Sequence, residues 1–135
     1  MSTNWPEDIA NMHEHYVVYP AIDKMDPETL KKFLKFRIDF LQEELDEMKT
    51  AESAEDVVDA LIDLCVVAIG TLDCFSVNSH KAWDEVLKAN MRKNVGVKST
   101  RPNPLGLPDL IKPVGWEAPS HEDNHGLLSQ IDYNV

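Results

Sequence analysis

The chain has 135 residues, a length typical of one domain, and its 24 acidic and 13 basic side chains give a formal net charge of −11. Such a surface repels nucleic-acid phosphates and anionic lipid, so we expect neither a nucleic-acid partner nor a membrane partner. A phosphate-containing ligand would need a cation to accompany it. A divalent metal ion is the obvious candidate.

Cysteine usage indicates a reducing compartment. Cys65 and Cys74 lie nine residues apart in a predicted helix, about 13 Å along its axis and too far for a disulfide. Free thiols are typical of reducing compartments. The chain has no apolar run of the ~20 residues that a membrane span needs, and its N-terminal residues lack a secretory pattern. We therefore expect a cytoplasmic protein.

Apolar spacing predicts two helices in the first third of the chain. A short helix is expected near residues 7–18, and Pro20 should end it. Asp26 and Pro27 form a helix start, with an N-cap acid before a proline in the first turn. The apolar stripe that follows predicts a long helix to about Lys49.

Two further helices are predicted before the composition changes. Ser53 can cap a helix over residues 54–76, which beyond Asp63 is apolar nearly all round and is therefore expected to be central and buried. The next helix is expected over residues 80–94. There is no signal for a strand hairpin.

The last forty residues differ in composition from the rest. Four of the five glycines lie in residues 96–126, and so do five of the eight prolines, Pro102, Pro104, Pro108, Pro113 and Pro119. This segment cannot be helical for long. The sequence therefore predicts an all-α bundle over residues 1–95 and an irregular, proline-rich C-terminal extension over 96–135, packed on the same domain or on a neighbouring subunit.

Several carboxylates extend apolar faces rather than solvent-facing ones. On the first long helix, a strip of three phenylalanines continues four residues further into Glu44 and then Glu47. On the next helix Asp56, Asp59 and Asp63 form one stripe. Two antiparallel helices with a short link would bring Glu44 and Glu47 opposite Asp56 and Asp59.

Ionised carboxylates that are buried together cost several kcal/mol each unless a cation neutralises them. Mg²⁺ or Mn²⁺, which prefer oxygen ligands, would do so. Simpler interpretations stay open for some of these acids. Asp56 could close a capping box with Ser53, and Glu43, Asp46, Glu52 and Glu55 suit a solvated surface.

These acids resemble a known signature. The runs Glu43–Glu47 and Asp56–Asp63 are similar to the EExxE … ExxD motif of the all-α nucleoside triphosphate pyrophosphohydrolases, which include MazG-like enzymes and phosphoribosyl-ATP pyrophosphohydrolase. Ala89–Lys93 resembles the family's Asn-x-x-Lys stretch, and Lys112–Pro119 is similar to a tail in phage-encoded members. The resemblance covers roughly residues 28–119 and departs from the motif where Asp56 replaces Glu.

The resemblance implies a metal-dependent enzyme that cleaves the α–β bond of a nucleoside triphosphate, giving the monophosphate and pyrophosphate. It implies two or more Mg²⁺ or Mn²⁺ ions per site and a homodimer or homotetramer. The implied catalytic residues are Glu43, Glu44 and Glu47, with Glu43 as a base or as a residue that orients water. The implied metal ligands are Glu44, Glu47, Asp56 and Asp59. Asp63 is implied to contact these ligands rather than the metal itself.

Four residues are candidates for substrate binding. By resemblance, Lys93 would bind phosphate and Asn90, three residues earlier on the same helix face, would face the nucleotide. Arg37 and Arg101 could reach phosphates, although Arg37 could instead pair with an acid. Phage relatives suggest dGTP, dCTP or dUTP as substrate, a role in nucleotide pool control, and the host cytoplasm as location.

Two alternatives are open. An acidic helical interaction protein would scatter its acids over the outer surface, and metals would not affect its stability. A catalytically inactive nucleotide-binding relative would keep the fold and bind nucleotides without turnover.

Overall fold

The computed structural model describes residues 1–101 and 103–134, so Pro102 of the proline-rich extension and Val135 lie outside the described residues. Within that part the chain forms five α-helices, two short strands and one 3₁₀ helix. The helices are α1 (Trp5–His15), α2 (Val18–Asp23), α3 (Pro27–Lys49), α4 (Ala54–Cys74) and α5 (Ser79–Met91). This architecture confirms the predicted all-α fold.

The chain divides into two compact units. The first unit comprises Met1–Ser79 and Asp123–Val135, and it contains α1 to α4 and the 3₁₀ helix over Gly126–Gln130. The second unit is His80–Glu122. The division into domains at residue 95, inferred from composition, stays a prediction.

Pro20 does not end the first helix. Helix α1 ends at His15, and α2 begins at Val18 after Val17, whose φ of 58° is in the left-handed region. A β-branched residue rarely adopts that conformation, so Val17 marks the break. Pro20 is the third residue of α2, where helical N–H groups have no intrahelical partner and a proline is tolerated.

The two long helices begin where the capping residues predict. The Asp26 carboxylate accepts a hydrogen bond from the N–H of Thr29 at 2.8 Å, and α3 then runs to Lys49. The Ser53 hydroxyl accepts from the N–H of Asp56 at 3.1 Å and starts α4. Because the link between them is short, α3 and α4 pack as an antiparallel pair.

Replacing Ser53 by Ala should lower the free energy of unfolding by about 1 kcal/mol, because an N–H in the first turn of α4 loses its acceptor. Urea unfolding followed by circular dichroism measures the change. Ser53→Thr keeps the hydroxyl and should stay close to the parent protein. An equal loss in both variants would contradict the capping role.

Helix α4 is buried on one side only. Ala60, Val67, Gly70 and Cys74 are buried, whereas Val57, Val58, Leu61 and Ile62 are between 37% and 62% exposed. In the stretch beyond Asp63 that was predicted to be buried, most apolar residues up to Ile69 are only half-buried, so that prediction is wrong for the single chain. Helices α1 and α3 cover one face, and the apolar opposite face meets solvent.

Membrane-spanning length is not reached by one helix. No single helix in the described part of the chain is long and apolar enough to cross a membrane, and α4 and α5 pass that test only when they are counted together.

Cys65 and Cys74 are both free thiols, as predicted from their spacing.

The core of the first unit is closed by residues from both of its chain segments. Phe75 is fully buried and stacks on Phe33 with ring centroids 5.5 Å apart. Leu30 and Ile22 pack in the same cluster, and so does Ile131 from the far end of the chain. The core therefore joins α2, α3 and the end of α4 to the C-terminal segment.

Two backbone contacts hold this C-terminal segment in place. The Asn124 side chain accepts from the N–H of Asn78 at 2.8 Å and donates to its carbonyl at 3.0 Å. Gly126 has φ +53°, and a Cβ there would lie 2.0 Å from the carbonyl oxygen of Phe75. Both the conformation and the close approach require glycine at this position.

The second unit contains structure that the sequence did not predict. Helix α5 ends at Met91 rather than near residue 94, and strand β1 (Asn94–Gly96) pairs antiparallel with β2 (Asp109–Ile111). Strands of three residues are too short to show alternating hydrophobicity, so the expectation of a wholly irregular extension is wrong here.

Candidate functional site

Three carboxylates meet between α3 and α4. Glu44 and Glu47 of α3 and Asp63 of α4 each offer one oxygen atom, and these atoms all lie within 4.8 Å of one another. We call this set the acidic group. Glu44 and Glu47 are neighbours because residues three apart share a helix face.

Glu44 is the buried member of the acidic group. It is only 8% exposed, whereas Asp63 is half-buried and Glu47 is exposed. Its Oε2 atom is buried without a hydrogen-bond partner among the described residues. Burial raises the pKa of the Glu44 carboxyl, and the nearby Glu47, Asp63 and Glu43 raise it further.

The acidic group fits a divalent cation. A buried carboxylate oxygen without a partner is costly, and two further carboxylates increase the repulsion. Within residues 1–101 and 103–134, the ion pairs formed by lysine, arginine or histidine do not involve these three acids. Oxygen donors of this kind suit Mg²⁺ or Mn²⁺.

The structure brings Asp63, rather than Asp56 or Asp59, to the two glutamates. Asp56 and Asp59 are exposed on the first two turns of α4 and do not belong to the acidic group. The Asp56 N–H takes part in the Ser53 cap. The structure thus places beside the two glutamates a residue one turn further from the link than Asp59, and the metal-ligand roles of Asp56 and Asp59 stay predictions.

The direction of side chains explains this difference. Side chains on a helix lean toward its N-terminus. The N-terminus of α3 lies away from the link, so Glu44 leans away from it. The N-terminus of α4 lies at the link, so Asp63 leans toward it. The partner of Glu44 on α4 is consequently a residue further from the link than residue counting predicts.

Glu43 lies outside the acidic group. It is exposed, and with Glu47 and Asp39 it lines an open depression along α3. Its charge nevertheless contributes to the raised pKa of Glu44. The catalytic role implied for Glu43 stays a prediction.

Arg37 does not pair with an acid in the described part of the chain. Its Nε donates to the Thr71 hydroxyl at 2.9 Å, and its Nη2 donates to the Val67 carbonyl at 3.0 Å. The guanidinium also lies over the ring of Phe40, 5.5 Å from its centroid. Burial lowers the pKa of Arg37, yet guanidinium stays charged in proteins.

A polar cluster beside Arg37 was missed by the sequence analysis. The Asp73 carboxylate lies 2.6 Å from Nδ1 of the buried His13 and accepts from the Tyr19 hydroxyl at 2.8 Å. Burial, together with the Asp73 carboxylate, raises the pKa of Tyr19 to about 12. Contacts of α4 with α1 and with α2 create this cluster, and the sequence contains no motif that predicts it.

The other predicted substrate residues belong to the second unit. Asn90 is exposed near the end of α5. Lys93 lies beyond the end of this helix, so the two residues do not share a helix face as predicted. Arg101 forms an ion pair with Asp109. Their roles toward a substrate stay predictions.

Lys93 has a different environment from the one expected. Its ammonium lies 5.2 Å from the ring centroid of Trp116, and that of Lys112 lies 5.0 Å from it. The indole N–H donates to the Ala89 carbonyl at 2.8 Å. Trp116 therefore contacts two cations and one backbone carbonyl within this unit.

Comparison with known protein families gives a match that spans the acidic group. A family model described as PRA-PH, phosphoribosyl-ATP pyrophosphohydrolase, matches residues 20–90, more than half of the chain. The matched region includes all of α3 and α4, and hence all three members of the acidic group. No curated protein matches the chain.

Proposed function

Because this chain belongs to the phosphoribosyl-ATP pyrophosphohydrolase family, and is thus a pyrophosphohydrolase of the MazG-like type, we propose that it hydrolyses a nucleoside or deoxynucleoside triphosphate with Mg²⁺ or Mn²⁺. The products are the monophosphate and pyrophosphate. The single observation that carries the metal dependence is the buried, unpartnered oxygen of Glu44, within reach of Glu47 and Asp63.

In this proposal the metal is held by Glu44, Glu47 and Asp63. Two or more ions are expected per site, and the amount of Mg²⁺ bound per protein chain would test that number. A metal ion bound there would supply positive charge against a polyphosphate and would lower the pKa of a coordinated water. Water oxygen bonds to the α-phosphorus as the bond from that phosphorus to the bridging oxygen breaks. Pyrophosphate leaves with this oxygen, and Glu43 accepts the proton of the water.

The arrangement of the acids disfavours the acidic interaction protein. That alternative requires carboxylates spread over the outer surface, whereas Glu44 is buried beside two others. An acid held at such a cost points to a bound cation.

We expect a product assay to show monophosphate and pyrophosphate. The protein is mixed with Mg²⁺ or Mn²⁺ and with dUTP or one of the eight common NTPs and dNTPs, and products are separated by anion exchange. The preferred base identifies the substrate, with dGTP, dCTP and dUTP as the leading candidates. EDTA should abolish turnover.

Other outcomes of the assay would contradict the proposal. Diphosphate and phosphate would indicate cleavage of a different bond by the same carboxylates. Tight nucleotide binding without turnover would favour the inactive nucleotide-binding relative.

We also propose a homodimer or homotetramer, because the apolar face of α4 that includes Val58 and Leu61 is exposed in the single chain. Replacing Leu61 by Glu should lower the mass measured by sedimentation equilibrium toward that of the monomer. The matched control is Glu55→Gln, an exposed acid on the first turn of α4. A monomeric parent protein would contradict the proposal.

A further inference from the structure

The β1–β2 ladder places two lysines opposite each other. Asn94 pairs with Ile111 in the antiparallel register. Continuing this register by one residue puts Lys93, immediately before β1, across from Lys112, immediately after β2. Like charges directly opposite each other destabilise a strand pair. The stability of this ladder therefore does not account for two lysines at these positions.

Both ammonium groups lie at the ring of Trp116. The Lys93 ammonium is 5.2 Å from the ring centroid, and the Lys112 ammonium is 5.0 Å from it. The indole N–H donates to the carbonyl of the buried Ala89 at 2.8 Å, which ties the ring to α5. We call these three side chains the lysine cradle (Lys93, Lys112 and Trp116).

The positive charge of the lysine cradle is not cancelled within the described part of the chain. Neither ammonium forms an ion pair with a carboxylate there. Attraction to an aromatic ring is worth about 0.5–1 kcal/mol at an exposed site, and it leaves the charge of the ammonium intact. Residues 80–122 contain seven basic and five acidic side chains, although the whole chain has a net charge of −11. The second unit therefore concentrates positive charge in an otherwise acidic protein.

An anion that contacts both ammonium groups would relieve the repulsion between them. Lysine binds phosphate as a compact point charge with three donors. Two lysines at one ring therefore suit a ligand that carries more than one charged phosphate.

We propose that the lysine cradle binds a phosphate chain, with Lys93 and Lys112 donating to phosphate oxygens and Trp116 acting as the positioning residue. Two ligands share this chemistry. One is the nucleoside triphosphate, and this source rests on the proposed function. The other is free inorganic pyrophosphate. Neither requires the acidic group to hold the ligand at the cradle.

The fluorescence of Trp116 reports binding at the cradle itself. Trp5 and Trp83 are exposed and are replaced by Phe, which leaves Trp116 as the single tryptophan. Inorganic pyrophosphate, dGTP, dCTP and dUTP are each titrated in EDTA at constant ionic strength, so that neither metal-mediated binding nor turnover contributes. A bound phosphate chain should change the emission in a saturable way, because it moves the charges beside the indole.

Variants of the two lysines test whether the cradle holds the ligand. Lys112→Met and Lys93→Met should each weaken Kd roughly tenfold, the loss expected for a hydrogen bond between charged groups. Lys112→Arg keeps the charge and should stay within about threefold of the parent protein. The matched control is Lys88→Met, which removes the same charge from an exposed position on α5 and should change Kd less than about twofold.

The outcomes separate the two sources of the phosphate chain. A dNTP that binds at least about tenfold more tightly than pyrophosphate assigns the cradle to the nucleotide. A dNTP that binds no more tightly than pyrophosphate assigns it to the free anion. Emission that no ligand changes would overturn the cradle, and so would equal weakening in Lys88→Met and Lys112→Met. Neither result touches the proposed function, which fails only if the assay with metal yields no pyrophosphate.

Discussion

Replacing Glu44 by Gln should lower kcat at least 100-fold in the presence of Mg²⁺ and should raise the melting temperature of the metal-free protein by a few degrees. Both effects have one cause. Glu44 is the buried carboxylate of the acidic group, and one of its oxygens has no hydrogen-bond partner in the described structure. Gln has nearly the same shape and no charge, so it removes the repulsion together with the metal affinity.

Thermal unfolding with and without Mg²⁺ separates these effects. The parent protein should be stabilised by Mg²⁺, because a ligand that binds the folded state stabilises it, and Glu44→Gln should not respond. Asp46→Asn is the matched control, since Asp46 is an exposed acid on the same helix that contacts Gln42. It should keep both the activity and the response. Full activity in Glu44→Gln would remove the acidic group from the mechanism.

Asp63→Asn should reduce kcat at least 100-fold, whereas Asp59→Asn should reduce it less than tenfold. Asp63 contributes an oxygen atom within 4.8 Å of those of Glu44 and Glu47, while Asp59 is exposed one turn nearer the link. The two substitutions make the same chemical change on the same helix, and each serves as the control for the other.

Initial rates at saturating substrate over a range of Mn²⁺ concentrations measure both effects. Asp63→Asn should also require more metal to reach half of its maximal rate. The reverse ranking, with Asp59 the more sensitive position, would restore the ligand set inferred from the sequence and contradict the structural grouping.

Local signals explain which parts of the fold could be predicted. The start of α3 follows from Asp26 and Pro27, and the start of α4 follows from Ser53, because capping chemistry involves residues three apart. Glu44 and Glu47 stood out because they extend an apolar strip. Each of these inferences needs only the residues of one helix.

The features that were missed depend on contacts between elements. The choice of Asp63 over Asp59 depends on how side chains lean across the α3–α4 pair. The hydrogen bond between His13 of α1 and Asp73 of α4 joins residues sixty positions apart, and that contact leaves no periodic pattern in the sequence. The exposed face of α4 is apolar in sequence and gives the same pattern as a buried one.

The return of the C-terminal segment to the core has a consequence for the order of folding during synthesis. Helices α3 and α4 are complete in the nascent chain once Cys74 has left the ribosome, but Ile131 is translated long after Phe75, with which it shares the core. The second unit lies between them along the chain. The nascent first unit must therefore hold Phe75 incompletely covered until residue 131 emerges, and chaperone binding during this interval would compete with closure of the core.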